Sequence, residues 1–249
     1  MKQLKFISAA VILLVMVLSC KKQEAGNNEP PVVSQVISGT GDITSQVTAF
    51  REILGSPNNG AVGLSQPSGR REINWDAVVA SFTNNDTFPG NFFNVKSPRG
   101  LVLQNATGKF RVSDKDFEDV HAGYSQIINP FSPAKTFSPI GTIASSVVFK
   151  VPGKDSAAYV HGFGVVFCDV ENANSTTLEF FQGEKSLGSF KAPVKSLSTG
   201  LSFLGVNFPY NKITSVKVIT GNAVLGSNND SGHDVVVLDD FLYSEPQKL

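Results

Sequence analysis

One stretch limits the possible folds more than any other: Tyr159 to Asn172, Tyr-Val-His-Gly-Phe-Gly-Val-Val-Phe-Cys-Asp-Val-Glu-Asn. Its centre, Val165-Val166-Phe167-Cys168, is apolar at consecutive positions, so a strand here is buried on both faces. Asp169 then interrupts the run with a carboxylate. A second run, Val235 to Tyr243, repeats the pattern, with Asp239-Asp240 set between Val237-Leu238 and Phe241-Leu242. A bare charge inside an apolar strand is costly, so each acid calls for a cation, a metal or several hydrogen-bond donors.

Around these runs the pattern is that of strands and turns. Nineteen Phe against two Met, with abundant Gly, Ser, Thr, Asn and Val, favours an all-β fold. From Ser145 onward the strand candidates are Ser145–Val151, Ala158–Asp169, Thr176–Gln182, Ser186–Lys191, Leu201–Val206, Ile213–Thr220 and Asp234–Tyr243. Turns such as Pro152-Gly153 and Gly183-Glu184-Lys185 separate them. Shorter strands are expected at Arg71–Trp75, Leu101–Gln104 and Phe110–Ser113. Asp42 to Gly55 reads as one short N-terminal helix, with Ile43, Val47, Phe50 and Leu54 on one face, Asp42 as N-cap and Gly55 at its end. Ser56 to Arg70 and Asp114 to Gly141 read as loop. Many short, closely spaced strands predict a two-sheet, jelly-roll-like β-sandwich.

The first residues stand apart from that domain. Lys2 and Lys5 precede an apolar stretch, Phe6 to Leu18, too short to cross a membrane comfortably. It ends Val17-Leu18-Ser19-Cys20, which resembles the lipobox of bacterial lipoproteins. That resemblance implies lipid on Cys20 and a place in the cell envelope as an outer membrane lipoprotein, anchored by more than one acyl chain. The expected organisation is a signal peptide over 1–19, the lipidated cysteine and a flexible tether over 20–41, and a single sandwich over 42–249. With Cys20 lipidated, Cys168 has no disulfide partner and reads as a small core residue. Formal charge is zero, and removing Lys2 and Lys5 leaves 19 basic against 21 acidic residues, which argues against nucleic acid as a partner.

Several segments together, Gly-Arg-Arg-Glu-Ile-Asn-Trp-Asp (69–76), Phe-Phe-Asn with Ser-Pro-Arg-Gly (92–100), Gly-Phe-Gly-Val-Val-Phe-Cys-Asp-Val (162–170), Leu-Ser-Phe-Leu-Gly-Val (201–206) and Val-Leu-Asp-Asp-Phe-Leu-Tyr-Ser-Glu-Pro (237–246), resemble a group of bacterial extracellular proteins, some with PEP-CTERM-type sorting tails. The resemblance spans roughly 42–246 and implies a jelly-roll-like sandwich. It brings no established activity and no catalytic residues.

Three chemistries remain to be weighed. Asp169, Glu171, Asp239 and Asp240, with Asn172, offer hard oxygen ligands for a structural Ca²⁺ if the two acidic runs are neighbours. Glu72-Ile73-Asn74-Trp75-Asp76 faintly resembles the Glu-x-Asp-x-Glu strand of laminarinase-like glycoside hydrolases, which makes Glu72 and Asp76 the catalytic candidates. The middle Asp of that motif is Asn74 here, and the last position is one carbon shorter. Sugar binding needs an aromatic platform beside amides or acids. Trp75 with Asn74 is one candidate, although Trp75 shares its face with Ile73 and so competes with core packing. The Asn/Phe-rich Asn84–Asn94 and the Asn/Asp-rich Asn228–Asp234 are the other two. His121, His161 and His233 lack zinc-ligand spacing. Asp155-Ser156-Ala157 is similar to a short bacterial O-glycosylation signal. The leading expectation is a lipid-anchored envelope module that binds glycan or serves as scaffold. The alternatives are a glycoside hydrolase and an accessory subunit of a surface complex.

Overall fold

The computed structural model describes residues 31–196 and 200–249. The leader and Cys20 lie outside these residues. In chain order the elements begin with β1 (Gln35–Gly41), α1 (Thr44–Leu54), β2 (Arg70–Ile73) and α2 (Phe92–Val95). Next come β3 (Leu101–Gln104), β4 (Phe110–Ser113), β5 (Thr136–Pro139), β6 (Ala144–Phe149) and β7 (Ala158–Tyr159). The last group is β8 (Gly162–Cys168), β9 (Thr177–Gln182), β10 (Lys185–Lys191), β11 (Leu201–Asn207), β12 (Ser215–Ile219), β13 (Val237–Ser244) and β14 (Gln247–Lys248).

Two antiparallel sheets make an all-β, jelly-roll-like sandwich. One is seven-stranded, ordered β1-β11-β8-β13-β5-β4 with β2 also on β13; the other is five-stranded, ordered β10-β9-β12-β6-β3. Alternation then sets the interior. On β8, Phe163, Val165 and Phe167 join the core between the sheets, where Phe149, Phe180 and Val216 meet them from the other side. Val166 and Cys168 point the opposite way, into a second core closed by Val47, Phe50 and Leu54 of α1 and by Phe117, Tyr124 and Ile128. The seven-stranded sheet is therefore covered on both faces, which is why its central strand can be apolar at every position. Gly164 and Gly205 make the seat for α1: a Cβ on either would come within 2.8 Å of the Phe50 ring.

Four expectations need correction. The tether was expected to reach residue 41, but Gln35–Gly41 forms edge strand β1, paired with β11 from Gln35↔Asn207 to Gly41↔Leu201. Its exposed, glycine-bearing sequence has little side-chain pattern; backbone pairing to a buried neighbour holds it. Asp42 is not the N-cap, since α1 starts at Thr44 and Asp42 instead accepts the Thr44 amide at 3.1 Å. Within the expected loop 114–141, Thr136–Pro139 forms β5, all four residues buried. Finally, Asn84–Asn94 is no exposed platform: Phe88, Phe92 and Phe93 are buried, Phe88 and Phe93 against Trp75.

Candidate functional site

The two acidic runs do lie on neighbouring strands, but antiparallel register separates their carboxylates. Cys168 faces Val237 and Phe167 faces Leu238, so Asp169 falls beyond the end of β8 while Asp239 lies further along β13. Each acid has found its own partners.

Asp169 turns the chain at positive φ (72°) and is fully buried. One carboxylate oxygen meets the Lys195 ammonium; the other accepts Asn229 Nδ2 at 2.8 Å. Glu171 shares both partners, with Lys195 at 2.8 Å and Asn229 at 3.2 Å. Burial pushes the Asp169 pKa up to about 6 even though the Lys195 charge pulls it down. Beside it, Asp234 accepts the amides of Glu171 and Asn172, both at 3.1 Å, and the Ser175 hydroxyl at 2.6 Å.

Asp239 and Asp240 occupy a β-bulge, since β13 advances from Leu238 to Phe241 while β8 moves only from Phe167 to Val165. Across this bulge the neighbour of β13 changes from β5 to β2. Asp239 Oδ2 accepts the backbone amides of Phe131 and Ser132 at 2.5 and 3.2 Å. The Ser132 hydroxyl lies 2.6 Å from Asp240 Oδ1 and 3.2 Å from Asp239 Oδ1. Burial, with the mutual proximity of the two acids, drives the Asp239 pKa well up, and Asp240 also rises through burial. Both shifts favour a proton shared by the two carboxyls. The four carboxylates expected around a single calcium thus form two separate pairs. Among the described residues, no three His, Cys, Asp or Glu are arranged to hold a metal ion.

The hydrolase candidates are also engaged. Glu72 accepts Arg51 Nη2 at 2.8 Å and Arg70 Nε at 2.6 Å. Burial alone would raise its pKa, but these guanidinium contacts outweigh it and hold the carboxyl below its ordinary value. Asp76 accepts the amides of Ala134 and Lys135 at 2.7 and 3.1 Å and Asn74 Nδ2 at 2.9 Å. β2 ends at Ile73 and Trp75 takes positive φ (66°), so the shared face expected for Glu72, Asn74 and Asp76 does not continue as strand. Trp75 is core: it stacks on Phe137 at 4.1 Å, and its indole N–H donates to the Asp239 carbonyl at 2.7 Å. In the other candidate loop, Asn229 serves Asp169 and the Val235 amide, while Asp230 pairs with His233.

Depressions of about 440 and 430 Å³ lie beside Arg51 and Arg70 and beside Phe82 and Phe92, and the outer face of the five-stranded sheet is open as well. Pairing aligns its outward side chains in rows. One row runs Gln104, Ser146, Lys217, Glu179, Ser189; beside it runs Val102, Val148, Ser215, Phe181, Ser186. A depression of about 280 Å³ lies over Gln104, Asn105, Ser146 and Lys217. A second, of about 520 Å³, is lined by Asn91, Asn94, Val102, Lys150 and Lys154 and shares Gln104 with the first. Sequence reasoning missed this surface. The outward alternation of Ser215-Val216-Lys217-Val218-Ile219 was visible, but not which strands would lie beside it. No family model and no curated protein matches the chain.

Proposed function

We propose that the chain is a lipid-anchored cell-envelope module that binds glycan on the open face of its five-stranded sheet. The observation that carries this reading is the adjacency there of a polar row (Gln104, Ser146, Lys217, Glu179) and a row that carries Val102, Val148 and Phe181 together with Ser215 and Ser186. A sugar ring presents hydroxyls at its rim and C–H groups on its faces, so neighbouring rows of these two kinds suit it. Glu72 and Asp76, which a hydrolase would need free, spend their oxygens on Arg51, Arg70 and backbone amides. That favours binding over hydrolysis.

A glycan array probed with the soluble chain tests the reading: selective binding supports it, and a blank array at high protein concentration leaves only scaffold. The anchor is tested separately. Cys20→Ala should move the protein from the membrane to the soluble fraction, and unchanged fractionation would remove the lipid from the proposal.

A further inference from the structure

We infer that the groove crossing the β3 edge takes an acidic glycan, a chain bearing uronate carboxylates; this deepens, and rests on, the glycan-binding reading. The two depressions meet at Gln104 and together carry three ammonium groups, from Lys150, Lys154 and Lys217. Lys154 and Lys217 have no ion-pair partner among the described residues. Lys150 pairs with Asp155 at 2.9 Å, but the Asp155 side chain is fully exposed, so an incoming carboxylate can replace it at little cost. Glu179, the acid next to Lys217 in its row, is held by the Ser186 hydroxyl at 3.0 Å.

The lysines are set on a built surface. Asn94, buried, accepts the Gly153 amide at 3.2 Å and donates to the Lys154 carbonyl at 2.9 Å, fixing the turn that carries Lys154. Asn91 and Gln104 line the same groove with side-chain amides that make no hydrogen bond within the described chain. Val95 and Val102 give the groove apolar area. Gln104 and Lys217 stand two strands apart, about 10 Å, so one ligand chain can meet both. Spaced positive charges alternating with neutral amides beside apolar side chains complement a polymer of sugar rings, each with hydroxyls and some with a carboxylate. The chain as a whole has no net positive charge, so this groove's charge is local.

The experiment titrates the soluble chain with oligogalacturonate and with the same oligosaccharide after its carboxyls are reduced to alcohols. The carboxylate form should bind at least tenfold tighter at low ionic strength, and the gap should narrow as salt rises. Lys154→Gln with Lys217→Gln should remove most of that preference without moving the melting temperature, and the neutral amide keeps a second carboxylate away from Glu179. Equal affinity for both forms would overturn the acidic-glycan inference and leave the glycan reading standing. Binding of neither form would overturn the inference, and the array decides the broader reading separately. Equally tight binding of a DNA strand of matched charge would reduce the groove to a general polyanion surface and overturn the inference.

Discussion

The two sheets of this sandwich have opposite fates. The seven-stranded sheet is covered on both faces, between the inter-sheet core and the layer formed by α1 and Phe117, Tyr124 and Ile128. The five-stranded sheet is covered on one face, and its other face alternates outward with side chains such as Gln104, Lys217 and Glu179. The acids that draw the eye in the sequence all belong to the covered sheet or its borders, where they are tied to amides, guanidinium groups and an ammonium. Conspicuous chemistry in a buried strand marks what the fold must neutralise. The ligand surface is to be sought where side chains are placed but not used.

The covered sheet also shows two ways of neutralising a charge. Arg71 and Glu245 are both buried and fully compensated: Arg71 makes a two-point contact with Glu245, at 2.7 and 2.8 Å, and donates to the carbonyls of Gly60, Val62, Leu64 and Pro98. These bonds organise the 56–70 loop. Asp239 and Asp240 have no cation beside them among the described residues and are met by the Phe131 and Ser132 amides and the Ser132 hydroxyl, while burial raises the pKa of both.

The largest expected effect comes from Arg71→Met, which leaves Glu245 buried and unpaired. Urea denaturation should show a loss of about 3–5 kcal/mol, while glycan affinity per folded molecule stays unchanged. Loss of binding in molecules that remain folded would blur the contrast between the sheets. Next comes the acid pair. Both Asp169 and Asp239 have pKa values raised by burial, so the folded state holds protons that the unfolded chain, near 3.9, releases. Stability contributed by the protonated acids is therefore complete at low pH and is lost as pH rises: from about pH 4 to 6 for Asp169, and from about pH 4 on to 9 for Asp239. In Asp239→Asn the amide oxygen can keep the Phe131 and Ser132 amides while the NH₂ faces Asp240. Melts from pH 4 to 9 should show the slope flattened across the whole range, by up to about 1.4 kcal/mol per pH unit, leaving below pH 6 the part that Asp169 contributes. An unaltered slope above 6 would mean that the pair holds no extra proton. The smallest effect on stability is expected at Lys217→Ala, within about 0.5 kcal/mol, because the side chain is exposed. The same variant should weaken glycan binding severalfold, and intact binding would take Lys217 out of the surface.

Much of this fold was legible where alternation or continuous apolarity was strong. Leu101–Gln104 and Phe110–Ser113 are strands with the expected boundaries, β8 lies within its expected span, and β13 overruns its own by one residue, at Ser244. β1 and β5 were hidden because edge pairing, or a four-residue strand ending in Pro139, leaves little pattern in the side chains. The need of Asp169, Asp239 and Asp240 for partners could be read directly. Their identities could not, because Lys195 and Ser132 approach through the fold from 26 and 107 or 108 residues away. The Asn/Phe-rich segment misled for a related reason. Its asparagines suggest a surface loop, yet Phe88 and Phe93 pack on Trp75 and Phe92 packs on both of them.

Amide hydrogen exchange of the full chain, with and without bound oligogalacturonate, tests the division between the sheets most directly. Slowed exchange confined to the Gln104–Lys109, Thr142–Ser146 and Lys150–Asp155 backbone would place the ligand on the open face, as expected. Protection centred on Glu72–Asp76, or on the Asp169 and Asp239 segments, would contradict it and return function to the buried acids.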